Sequence, residues 1–93
     1  MKITVRGKAH MEGTSKKTGR PYNMNQIHYL GRSPFVEGEC AETLFLDPAI
    51  YPLDTIIVGM EYDVEFNNRG YVVSFTPVDR DEWEEAMKAL QGF

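Results

Sequence analysis

The sequence predicts an all-β protein, a five-stranded barrel of the OB-fold type with a short C-terminal helix. Three observations lead there. Over the first 78 residues, short β-rich runs are broken by Gly, Pro and Asn at intervals typical of a small barrel or sandwich. The third and fourth runs are separated by a longer interruption, as in OB-type barrels. From residue 79 onward the chain changes to acids and good helix formers. At 93 residues, 42% hydrophobic and 26% charged, it is close to the globular average and large enough for one core. Residues 1–78 are therefore expected to form the barrel domain, and residues 79–93 an acidic helix or tail.

The first strand, about residues 2–11, alternates strictly. Ile3, Val5, Gly7, Ala9 and Met11 are expected on the core side, with Lys2, Thr4, Arg6, Lys8 and His10 as a basic stripe opposite. A polar loop, residues 12–21, follows and carries Lys16, Lys17 and Arg20 with no acid between them. The second strand, about residues 22–30, sets Tyr22, Met24, Gln26, His28 and Leu30 against Asn23, Asn25, Ile27 and Tyr29. Neither set is purely apolar, so the pattern leaves open which faces inward. A third strand, about residues 39–46, stops at Asp47-Pro48. The fourth and fifth, residues 61–66 and 71–77, flank Asn67-Asn68-Arg69-Gly70, a hairpin turn whose Asn and Gly tolerate positive φ. In the final segment Asp79 or Asp81 can cap a helix, and Trp83, Met87 and Leu90 form an apolar stripe at i, i+4 and i+7.

The net charge of −4 conceals a split along the chain. Residues 1–32 carry seven bases and one acid, a net of +6, whereas the remainder carries three bases and thirteen acids, a net of −10. Such asymmetry suggests one surface for a polyanion and another that repels or competes with it. No apolar run approaches the roughly 20 residues of a membrane span, and no signal peptide is recognisable, so a cytoplasmic location is expected. A single Cys, Cys40, can make neither an internal disulfide nor a Cys-based metal site. His10 and His28 have no second ligand at metal spacing, and no phosphate-binding loop or nucleophile motif occurs. The expectation is a binding protein without a cofactor, not an enzyme.

Lys16, Lys17 and Arg20 lie beside Tyr22, with Arg6 and Lys8 on the preceding strand. Single-strand binders need this mixture, because cations neutralise phosphates and release counterions while aromatic faces stack unpaired bases of any sequence. Met24 is soft and polarizable enough to accept a base whatever its identity, or to fill an irregular core.

The run Ser15-Lys16-Lys17-Thr18-Gly19-Arg20-Pro21-Tyr22-Asn23-Met24-Asn25-Gln26 resembles the DNA-binding wing of filamentous-phage gene V type proteins, single-stranded-DNA-binding proteins of the OB fold. Leu44-Phe45-Leu46-Asp47 and Gly59-Met60-Glu61-Tyr62-Asp63-Val64 extend the likeness. The resemblance implies DNA contacts at Lys17, Arg20, Tyr22 and Met24, with Gln26 at the edge of the site. It also implies a role in phage or mobile-element DNA replication and a homodimer. The family's hairpin between strands four and five is long and helps build its dimer; here only residues 67–70 stand in its place. Basic positions expected late in the fifth strand are Ser74 and Thr76, and the third strand carries Glu39 and Glu42.

The acidic C-terminus ends on Phe93 and resembles in outline the tails of other single-strand binders, which compete with DNA and dock replication proteins. Trp83, Met87, Leu90 and Phe93 are the candidate partner-binding residues. The same stripe also suits a helix that packs on the barrel. Two other functions compete with single-stranded DNA: a protein-interaction module working through the acidic helix, and single-stranded RNA, which stacking and phosphate contacts serve equally.

Overall fold

The computed structural model describes residues 1–91, so Phe93 lies outside the described residues. The protein is mostly β. Strands β1 (Lys2–Thr14), β2 (Pro21–Gly31), β3 (Cys40–Leu46), β4 (Glu61–Phe66) and β5 (Val72–Pro77) form one antiparallel sheet, and helix α1 (Arg80–Leu90) follows. The order is β3-β2-β1-β4-β5, which leaves β3 and β5 as edges; the sheet is not closed.

β1 serves both halves of the sheet, and a bulge makes this possible. Its first residues pair with β4, placing Ile3 opposite Tyr62, while the longer part pairs with β2. Between Val5 and Gly7 the register shifts, since Val5 faces Tyr29 and Gly7 already faces His28, leaving Arg6 as the extra residue. The shift reverses the side-chain alternation. Ile3 and Val5 point into the core as the pattern predicts. Beyond the bulge, however, Lys8 pairs with buried Ile27 and His10 with buried Asn25, so Lys8 and His10 take the core side. Gly7, Ala9 and Met11 are turned outward, opposite to expectation.

The core is built from Ile3, Val5, Ile27, Tyr29, Leu44, Leu46, Ile56, Met60, Tyr62, Val64 and Phe75. Each large aliphatic side chain so buried contributes about 1.5–3 kcal/mol relative to exposure. Tyr62 and Phe75 stack across β4 and β5 with centroids 4.6 Å apart, and Tyr51 meets Phe75 edge-on at 5.9 Å.

The connection from β3 to β4, residues 47–60, straps the sheet and contains a 3-10 turn at Leu53–Thr55. Its carbonyls are held by side chains from three elements. Asn25 Nδ2 donates to the Tyr51 carbonyl at 2.8 Å, Lys8 Nζ to those of Leu53 and Ile56 at 2.9 and 2.7 Å, and Trp83 Nε1 to that of Thr55 at 2.8 Å.

α1 starts where the sequence allows, at Asp79, whose carboxylate accepts from the Glu82 amide at 3.0 Å. Trp83 and Ala86 pack against the core, and Arg80 lies over the Trp83 ring at 5.7 Å. Leu90 is exposed.

On β2 the phenol of buried Tyr29 donates to Glu42 Oε2 at 3.0 Å. Burial, then the bond to Glu42 and its negative charge, push the phenol up to about 12. An unfolded Tyr ionises near pH 10, so the stability held here is complete below about pH 10. It is lost as pH rises toward about 12, because the unfolded chain gives up its proton first. Urea unfolding at pH 9 and pH 11.5 should therefore show a larger loss for the wild type than for Tyr29→Phe; equal losses would rule out this linkage.

Candidate nucleic-acid interface

β1 and β2 run on past the core as a two-stranded ribbon whose loop carries the cations. The loop closes on itself: the Ser15 amide donates to the Arg20 carbonyl at 2.9 Å, and the Gly19 amide to the Ser15 carbonyl at 2.8 Å. The chain returns through Gly19 at φ +68°, a left-handed conformation that favours glycine. Ser15 Oγ and Thr18 Oγ1 accept from the amides of Thr18 and Arg20. This leaves Lys16, Lys17 and Arg20 exposed at the tip with no acidic partner among the described residues.

The structure decides the face of β2 that the sequence left open. Asn25, Ile27 and Tyr29 are buried, so Tyr22, Met24 and Gln26 form a half-exposed row on the outer side. Small residues across the ribbon give this row its relief. Tyr22 pairs with Gly13, and a Cβ there would stand 2.9 Å from Tyr22 Oη and 3.1 Å from its Cζ. The ring occupies space that only glycine leaves free.

Met24 links the row to an apolar groove of about 470 Å³ between β3 and the β4–β5 hairpin. Its walls include Phe45, Phe66 and Tyr71, which are 50%, 40% and 67% exposed. The hairpin turn is firm: Asn67 Oδ1 accepts from the amides of Arg69 and Tyr71 at 2.9 and 3.0 Å, and Gly70 turns the chain at φ +81°. Arg69 is exposed in the same turn, next in sequence to Gly70 of the groove's lining.

Sequence reasoning missed these three aromatics. Phe45 sits within the apolar run Leu44-Phe45-Leu46, which reads as wholly buried, although strand alternation could have set it apart from Leu44 and Leu46. Phe66 and Tyr71 flank the turn, a position with no composition signal.

Other expected site residues are placed elsewhere. Lys8 is half-buried on the core side with its ammonium on two carbonyls. Arg6 is exposed at the bulge, eight residues and roughly 25 Å of strand from Thr14. Of the partner candidates, Trp83 is engaged within the chain, Met87 is half-buried and Leu90 faces solvent. Glu42 of β3 and Glu39, just before the strand, lie at the opposite end of the sheet, where they line a cavity of about 310 Å³ with Lys2 and Arg32. There Cys40 Sγ contacts Glu42 Oε1 at 3.4 Å, and desolvation with the neighbouring carboxylate pushes its thiol up, away from the thiolate a nucleophile needs. Among the described residues no three His, Cys, Asp or Glu side chains are placed to hold a metal ion, and no helix is long and apolar enough to cross a membrane.

The Gly13 α-protons lie close to the Tyr22 ring and should carry ring-current shifts in NMR spectra, lost in Tyr22→Ala; unshifted protons in the wild type would remove the ring from this place. In comparisons with known proteins, no family model, curated protein or solved structure matches the chain.

Proposed function

We propose that the protein binds single-stranded DNA without strong sequence preference. The observation that carries this reading is a continuous path: three exposed cations on a closed loop, without an acidic partner among the described residues, the outward row of Tyr22, Met24 and Gln26, and an aromatic groove that Met24 joins. Each part matches a need of the ligand. Phosphates want exposed cations, which gain by releasing condensed counterions. Unpaired bases want flat apolar surfaces, and Tyr22, Phe45, Phe66 and Tyr71 offer them at about 1–3 kcal/mol per stacked base. The path offers few fixed hydrogen-bond donors or acceptors for base edges, in keeping with weak sequence preference.

The strand order β3-β2-β1-β4-β5 is compatible with an OB-type barrel, a fold that binds oligonucleotides on strands two and three and on the loops after strands one and four. In this reading the acidic remainder of the surface confines the polyanion to one path. The alternative surface on α1 has lost its largest side chain, Trp83, to packing within the chain.

Fluorescence anisotropy with labelled oligo-dT at two salt concentrations, with duplex DNA and single-stranded RNA as competitors, tests the reading. Tyr22→Ala should weaken binding by about 1–3 kcal/mol at unchanged salt slope. Lys17→Ala should instead reduce the slope by roughly 0.7, one phosphate contact to a single strand. Phe45→Ala and Tyr71→Ala should act as Tyr22→Ala does. A folded protein that binds duplex as tightly as oligo-dT, or neither at low salt, would overturn the proposal; equal affinity for RNA would widen the ligand to single-stranded nucleic acid.

A further inference from the structure

Beyond Ile27, the outer part of the β1–β2 ribbon is folded against its own hydrophobic pattern. Past the bulge, the core side carries Lys8, His10 and Glu12 on β1, with Ile27, Asn25 and Asn23 opposite, and of these only Ile27 is apolar and buried. The solvent side carries Ala9, Met11, Tyr22 and Met24 along with Gln26. Ile27 anchors the base of the ribbon, but over residues 9–14 and 21–25 burial of apolar surface alone would favour the other face. Polar contacts to the strap hold it as it is. The amide of Asn25, 0% exposed, donates to the Tyr51 carbonyl at 2.8 Å, and its Oδ1 lies 2.8 Å from His10 Nδ1. Because Oδ1 can only accept, the proton is on His10 Nδ1. The Lys8 ammonium donates to the Leu53 and Ile56 carbonyls around the 3-10 turn; the Leu53 carbonyl also accepts from the Ile56 amide, whereas the Ile56 carbonyl lies past the turn's last bond. Turning the ribbon over would take the donors from the Tyr51 and Ile56 carbonyls and leave the Asn25 amide without its partner.

We propose that Lys8 and Asn25 are positioning residues that together fix which face of the ribbon looks outward, and so hold Tyr22, Met24 and Gln26 at the surface. A buried polar residue that selects one register over another is a known device in coiled coils. Here it selects a face. The consequence for DNA rests on the proposed function, but the facing itself does not. Lys8 thereby leaves the set of phosphate contacts.

Three measurements test this. In the wild-type protein, reductive methylation followed by mass spectrometry should modify Lys8 much more slowly than Lys16 and Lys17, and oligo-dT should protect Lys16 and Lys17 while leaving the Lys8 rate unchanged. Lys8→Met and Asn25→Val should keep a β-type circular dichroism spectrum while the cross-strand NMR contacts of Met11 with Met24 and of Gly13 with Tyr22 weaken or split into two sets. Their affinity for oligo-dT should fall about tenfold, the order expected when a buried hydrogen-bonding group is deleted, at unchanged salt slope. Lys8 methylated as fast as Lys16 in the free protein would overturn the proposal, as would variants keeping one facing and full affinity, or Lys8→Met lowering the salt slope as Lys17→Ala does. Failure of the wild type to bind oligo-dT would sink the proposed function, leaving methylation and NMR to judge the facing.

Discussion

The architecture depends on how residues 47–60 are held. A connection that leaves the ladder has carbonyls that no neighbouring strand satisfies, and a buried unpaired carbonyl costs about 1–3 kcal/mol. Turns within the strap satisfy the carbonyls of Asp47, Pro52, Leu53 and Ile57, while Asn25 of β2, Lys8 of β1 and Trp83 of α1 reach in to those of Tyr51, Ile56 and Thr55, with Lys8 also on Leu53. The donors lie 26 to 48 positions away in sequence, so each bond joins elements that local contacts would not. Among the described residues no buried side-chain nitrogen or oxygen lacks a partner. The long β3–β4 connection is thus where strand, ribbon and helix are tied together.

Much of this fold is legible from the sequence because its punctuation is chemical. Asp47-Pro48 stops β3, Asn67 to Gly70 makes a turn, and Asp79 caps α1, each for a reason visible in one or two residues. The five strands and the helix follow. The bulge does not, since one extra residue at Arg6 leaves no mark in composition, yet it reverses the facing of everything from Gly7 to Thr14. The alternation that correctly puts Ile3 and Val5 inside therefore misplaces Lys8, His10 and Met11.

The candidate site divides in the same way. Its loop cations and Tyr22 are adjacent in sequence, and adjacency suffices to find them. Met24 and Gln26 are found with them but could not be turned to solvent until the partners of Asn25 were known. The groove brings together Met24, Phe45, Phe66 and Tyr71 from three stretches of chain, and only the fold makes them neighbours. From the sequence, Trp83 is open in both directions. Its stripe suits a partner and a packed core equally well, and in the structure its ring packs against the core while Nε1 donates to the Thr55 carbonyl.

The sequence distance between Lys8 and the strap also has a meaning in time. A ribbon closed by a short loop can form from local contacts, whereas the Lys8–Leu53 bond spans 45 positions and must await a long loop closure. Until the strap arrives, the part of an early ribbon beyond Ile27 has a hydrophobic pattern that favours the other side. On the role proposed for Lys8 and Asn25, that part settles its facing only when the strap is in place. Such a sequence carries a measure of frustration that an idealised design would remove. The residues it leaves on the outside are the ones a simpler hydrophobic collapse would have consumed.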